Sequence, residues 1–181
     1  DNIQPFHFKF SDMEFGLAHN GNLTNTQSLK KELERQGAIF SSSSDTEILA
    51  HLIRRSHNPS FMGKVKEALS TVKGGFAYLL MLEDKLIAAL DPNGFRPLSI
   101  GQMKNGAWVV ASETCSFEVV GAKWVRDVQP GELIVIDDNG FVTHFLQSPG
   151  AMHTAIIKFD TLANANGSRA KDDNPFFPGT V

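Results

Sequence analysis

The chain has 181 residues, a single cysteine (Cys115), a formal net charge of -3 and a pI near 6.1. At 41% hydrophobic and 20% charged residues, it has the profile of one soluble globular domain able to bury roughly 70% of the surface its unfolded form exposes. These values exclude an internal disulfide framework and a cysteine-based zinc site, and argue against a basic footprint for nucleic acid or a membrane surface; no apolar run approaches the roughly 20 residues that cross a bilayer.

No charged-then-apolar leader opens the chain, so the cytoplasm is the expected compartment. The first residue, Asp1, is not a methionine and reads as a processing product or a cut. After an extended opening, Phe15 to His19 reads as a short strand that stops at the turn signal Asn20-Gly21-Asn22. Residues 25–36 carry helix formers with Leu29 and Leu33 at i,i+4 spacing, and Gly37 stands where a C-terminal glycine belongs. Ile48, Leu49, Leu52 and Ile53 form a second helical stripe, and Ser44 with Glu47 fits a capping box that starts this helix at Ser44 or Asp45. A third helix follows Pro59, expected in its first turn, with Phe61, Met62, Val65 and Leu69 along one face.

From Gly74 the character changes. The apolar runs Phe76 to Leu82 and Leu86 to Leu90, split by Glu83-Asp84-Lys85, predict a hairpin buried on both faces. Short strands are predicted at 97–101, 107–112, 123–128, 132–137 and 141–145, separated by glycine-containing turns. Helices followed by antiparallel strands give a layered α+β domain. From about Gln147 the periodicity is lost, and an extended arm or disordered tail is expected.

The six histidines have no zinc spacing, and Gly74-Gly75 lacks the Gly-Lys-Ser/Thr of a phosphate loop. Cys115 is either a nucleophile at the start of a short helix or a small buried hydrophobe, and the second reading is preferred. The informative cluster is Leu17-Ala18-His19-Asn20-Gly21-Asn22-Leu23, followed by Ser43-Ser44-Asp45-Thr46-Glu47. Asn20-Gly21 could offer an amide and a backbone N–H to a developing oxyanion, or simply form a hairpin turn. Asp45 could hold a carboxylate toward an ammonium group, or cap a helix.

The motifs HNGNLTN, SSDTEI, DPNGFRPL and ASETCSF occur in this order, and with them the stretch from Asn2 to about Asp138 resembles the glutaminase domain of the amidophosphoribosyltransferases. The HNG and SDTE elements are shared by other class II glutamine amidotransferases, whereas residues 91–98 and 111–117 carry the narrower likeness. The resemblance implies an N-terminal nucleophile hydrolase fold, a four-layer αββα sandwich with antiparallel sheets, here incomplete at its N-terminus. It further implies that an N-terminal cysteine attacks the glutamine side-chain amide with its own α-amino group as base, an amine of unperturbed pKa near 8. Asn20 and Gly21 would then be the oxyanion hole, and Asp45 the group that grips the substrate's α-amino group.

The same resemblance implies transfer of the released ammonia, in a phosphoribosyltransferase domain, to phosphoribosyl pyrophosphate, giving phosphoribosylamine in the first step of purine synthesis. No cofactor or metal is expected in this segment; magnesium serves the transferase domain of the family, and some members carry an iron-sulfur cluster. The expected partners are glutamine and that transferase domain, with homo-oligomerisation of the complete enzyme and neither nucleic acid nor membrane. Neither the N-terminal cysteine nor the family's glutamine-binding arginine has a match here. Residues 147–181 match nothing in the family and hold no pyrophosphate-binding loop. The expectation is a glutaminase domain over residues 1–146, inactive alone, with Phe15, Leu17, Phe76, Leu79 and Ile87 short of packing partners and the chain marginally stable or self-associating. The rivals are a non-catalytic binding module of the same fold, or another class II amidotransferase such as a sugar-phosphate or asparagine enzyme.

Overall fold

A computed structural model describes residues 3–146; the expected tail from Gln147 lies outside the described residues. The three predicted helices are present as α1 (Thr26–Arg35), α2 (Thr46–Arg55) and α3 (Phe61–Thr71). α1 ends at Gln36, and Gly37 follows with φ 84°, a left-handed turn that a side chain would strain. Ser60 caps α3 by accepting the Gly63 N–H at 3.0 Å, so Pro59 precedes the helix instead of occupying its first turn.

Two antiparallel sheets carry the rest. Strands β1 (Phe6–Lys9), β2 (Glu14–Leu23), β3 (Gly74–Met81), β4 (Leu86–Leu90), β8 (Glu132–Asp137) and β9 (Gly140–Phe145) lie in that order in a six-stranded sheet. The central hairpin β3–β4 is the one its two apolar runs predict. Strands β6 (Trp108–Ala111), β5 (Ser99–Met103) and β7 (Ala122–Asp127) make a smaller sheet, and α4 (Cys115–Val119) follows β6 in sequence.

Alternation along the strands divides the core in two. Phe15, Leu17, Leu23, Phe76, Tyr78, Leu80, Ile87 and Leu133 pack one face of the large sheet against Leu49, Ile53, Val65 and Leu69 of α2 and α3. Ala77, Ala88, Leu90, Ile134 and Ile136 pack the other face against Leu98, just before β5, and Ile100 of the small sheet. Phe117 of α4 meets Gly101 on the opposite side of β5 from Ile100, at 2.8 Å from where a Cβ would stand. The layer order among the described residues is therefore helix, sheet, sheet, helix, with α4 forming the fourth layer. The expected deficit of packing does not occur: Phe15, Leu17, Phe76 and Ile87 are at most 1% exposed, and Leu79 is half-buried against the inter-sheet core.

Candidate functional site

The predicted end of the second strand at Asn20-Gly21 is overturned. β2 runs unbroken to Leu23, with Asn20 opposite Ala77 and Gly21 opposite Phe76. Glycine is needed at 21 because the neighbouring strand is close: a Cβ there would stand 2.2 Å from the Gly75 carbonyl oxygen and 2.8 Å from both Phe76 Cα and His19 Nε2.

The other edge of β2 changes character along its length. β1 pairs with residues 14–17 and then ends. The next outward-facing residue is His19, and there the Gln4 side chain replaces a strand: its amide donates to the His19 carbonyl, and its oxygen accepts the His19 N–H. Four residues on, the outward-facing Leu23 N–H donates to Asp45 Oδ2 at 2.9 Å. Gly21 lies between them. Its partner Phe76 spends its own backbone groups on Asp91, accepting the Asp91 N–H and donating to Asp91 Oδ2, so Gly21 and Phe76 form a non-hydrogen-bonded pair. The Gly21 N–H therefore points outward, onto the open stretch of edge between Gln4 and Asp45. Asn20, exposed on the adjacent face, has an amide with no hydrogen-bond partner among the described residues.

Asp45 occupies the N-cap position of α2 but makes no capping bond with its side chain. Besides Leu23, it faces His19: Nδ1 to Oδ1 is 3.3 Å, with the His19 side chain 2% and the Asp45 side chain 19% exposed. Burial disfavours the Asp45 charge, but the His19 ring and the Leu23 N–H outweigh it and hold the carboxyl below its ordinary value. His19 is stacked on Tyr78 with ring centroids 4.2 Å apart, and Thr46 Oγ1 lies 3.3 Å from His19 Nδ1. Both His19 Nε2 and the Tyr78 hydroxyl are buried without a partner.

The expected capping box is also replaced. Glu47 leaves Ser44 and reaches back to the preceding serines, accepting from the N–H and hydroxyl of both Ser41 and Ser42 at 2.8–3.2 Å. The carboxylate is 3% exposed and clamps the loop that delivers Asp45. Burial opposes its charge, yet these four donor groups hold it below the ordinary carboxylate value. A lowered folded value stabilises the protein above the unfolded Glu pKa of about 4.3, and this contribution is lost as pH falls through the folded one. Glu47→Gln is expected to cost about 2 kcal/mol at pH 7 and to make the acid limb of stability shallower, checked by urea unfolding between pH 3 and pH 7.

The DPNGFRPL motif braces the site from behind. Asp91 is fully buried, and its carboxylate accepts from Phe76 N (3.3 Å), Asn93 N (2.9 Å) and Phe95 N (2.9 Å). The turn thus held seats Phe95 over Gly75, where a Cβ would lie 2.9 Å from the Phe95 Cβ. None of Gln4, Glu47 or Asp91 is picked out as a site residue by sequence reading. Their partners lie 2 to 15 residues away and are mostly backbone groups, which leave no spacing signature.

Cys115 is exposed at the start of α4, correcting the expectation of a buried thiol. It belongs to the small-sheet side and forms no hydrogen bond or ion pair with Asn20, Gly21 or Asp45. Among the described residues no group of three His, Cys, Asp or Glu is placed to hold a metal ion, and no helix is long and apolar enough to cross a membrane. A cleft of about 600 Å³ lined by Gln36, Arg54, Arg55, Ser56, His57 and Lys64 lies at the far end of α2 and shares no residue with the β2 edge.

Residues 1–118 match the glutamine amidotransferase domain family. The chain is 54% identical over 140 residues to amidophosphoribosyltransferase of Staphylococcus aureus strain Mu50, covering 77% of this chain and 28% of the relative. It is 54% identical over 141 residues to that of Bacillus subtilis strain 168, covering 77% and 29%. It thus spans less than a third of the length of these curated relatives. Among solved structures, the glutamine phosphoribosylpyrophosphate amidotransferase from B. subtilis complexed with ADP and GMP matches with a TM-score of 0.78 and 51% identity, over 81% of this chain and 32% of that one.

Proposed function

Because the chain belongs to the glutamine amidotransferase domain family, we propose that the open edge of β2 is its glutamine site. The observation that carries the reading is the outward-facing Gly21 N–H, held between two side chains that have already taken up the edge on either side. The amide oxygen of glutamine lies against that N–H and the free Asn20 amide. These donors stabilise the negative charge that develops on this oxygen when a thiol sulfur bonds to the carbonyl carbon. The C–N bond then breaks, the nitrogen leaves as ammonia after taking a proton, and water later releases glutamate from the thioester. Asp45 receives the α-ammonium group, for which its carboxylate is charged and partly exposed.

Cys115 starts α4, on the small-sheet side of the fold, so the attacking thiol belongs to a cysteine outside these residues, and the chain alone binds glutamine without turning it over. In the whole protein the ammonia passes to a phosphoribosyltransferase domain and displaces pyrophosphate from phosphoribosyl pyrophosphate, in a cytoplasmic, oligomeric enzyme. The likeness over residues 1–118 and the 54% identity to enzymes of that name support this assignment.

Asp45→Asn removes the charge and keeps the shape. Glutamine binding measured by calorimetry is expected to weaken by tenfold or more, the worth of a charge-assisted hydrogen bond of about 1.5–3 kcal/mol. Binding of 4-carbamoylbutanoate, which lacks the α-amino group, should not change. Equal weakening for both ligands would refute the role given to Asp45, and glutamine binding left unchanged by Asn20→Ala would refute the contact of the Asn20 amide with the substrate's amide oxygen.

A further inference from the structure

Resting on the glutamine site proposed above, we infer that His19 is a positioning residue for substrate binding: through Nδ1 it fixes the rotamer of Asp45 and so the direction in which the carboxylate meets the substrate's ammonium group. Asp45 enters the site from a helix start, where a short side chain has several rotamers open to it. Two contacts choose one of them. Oδ2 is tied to the Leu23 N–H at 2.9 Å, and Oδ1 faces His19 Nδ1 at 3.3 Å.

The imidazole is itself immobilised. It is 2% exposed, stacked on Tyr78, and carried by a backbone that Gln4 holds on both its N–H and its carbonyl. An ionised carboxylate only accepts, and Thr46 Oγ1, 3.3 Å from the same nitrogen, can accept as well, so the tautomer that serves Asp45 carries the ring hydrogen on Nδ1 and leaves Nε2 bare. Nε2 is buried beneath Gly21 with no partner, which removes it from proton exchange with a substrate on the exposed edge. His19 therefore acts through Asp45 and does not touch the reacting atoms. The ionisable groups that face Asp45 from the large sheet are His19 and Tyr78; on α2 itself, Glu47 is turned away toward Ser41 and Ser42.

The geometry separates two conservative replacements. The side-chain nitrogen of asparagine reaches the place of Nδ1, whereas that of glutamine reaches the place of Nε2. In the full chain, His19→Asn is expected to keep the Asp45 carboxyl titration, followed by carbon-13 NMR, where it stands in the unaltered protein, and to keep the glutamine Kd within about twofold. His19→Gln should move that titration to higher pH and weaken glutamine binding on the order of tenfold, the loss of a hydrogen bond to a charged group, with 4-carbamoylbutanoate binding unchanged. If the two variants behave alike, whether both intact or both impaired, His19 only fills space and the inference fails. Nitrogen-15 NMR of the unaltered protein tests it without any variant: hydrogen on Nε2 with Nδ1 bare overturns it. If the unaltered protein binds glutamine and 4-carbamoylbutanoate equally, the ammonium role of Asp45 fails, while the Asp45 titration still decides whether His19 holds that carboxylate.

Discussion

Gly21→Ala is expected to lower the unfolding free energy by about 3 kcal/mol and to abolish glutamine binding, because the added methyl has nowhere to go. Its nearest neighbours are the Gly75 carbonyl oxygen at 2.2 Å and the Phe76 Cα at 2.8 Å, both backbone atoms of a strand packed on two sides. Relief requires β2 and β3 to separate, and that movement carries away the N–H on which the site depends. Urea unfolding checks the first part and calorimetry the second. A loss below about 1 kcal/mol would mean that the sheet accommodates the methyl, and that the close approach of these strands is not a condition of the site.

The second large effect is expected at Asp91, which holds the Phe76 backbone opposite Gly21. Asp91→Ala leaves three backbone N–H groups, those of Phe76, Asn93 and Phe95, without their acceptor. At about 1–3 kcal/mol for each buried donor left bare, with part recovered by water entering the turn, a loss of about 3–4 kcal/mol is expected in urea unfolding at pH 7. Asp91→Asn keeps one acceptor oxygen and should cost clearly less. The pH dependence has the opposite sign to that of Glu47. Burial pushes the Asp91 carboxyl up, so its ionisation weakens the fold as pH rises from the unfolded value of about 3.9 through the folded one. The asparagine variant should lack this decline; if it declines equally, the turn and not the charge sets the cost of burying Asp91.

Periodicity found what local residues decide and missed what distant ones decide. The three helices and the β3–β4 hairpin follow from apolar spacing over a dozen residues, and each lies within a few residues of its expected span. Asn20-Gly21 reads as a turn because that dipeptide forms turns where nothing pairs with it. Here Phe76 and Ala77 of β3, more than fifty residues on, give it a strand to pair with, and the signal for close approach is glycine on both strands, Gly21 against Gly75. Ser44 and Glu47 have capping-box spacing, but the carboxylate has better company in Ser41 and Ser42, four donor groups against one. Asp45 looks like an N-cap for the same reason, and only the approach of Leu23 and His19 redirects its side chain. The four ordered motifs named Asn20, Gly21 and Asp45 together; residue types alone favoured turn and cap. Gln4, which stands in for a strand, has no sequence mark at all.

The central claim is that the open stretch of β2 between Gln4 and Asp45 is where glutamine lies. The most direct test is a proton–nitrogen-15 NMR titration of the chain with glutamine. The account predicts that the Gly21 backbone amide and the Asn20 side-chain amide move most, with Leu23 following as Asp45 takes up the ammonium group. Shifts confined to the cleft around Arg54, Arg55 and Lys64, or a Gly21 amide that stays still at saturation, would contradict it.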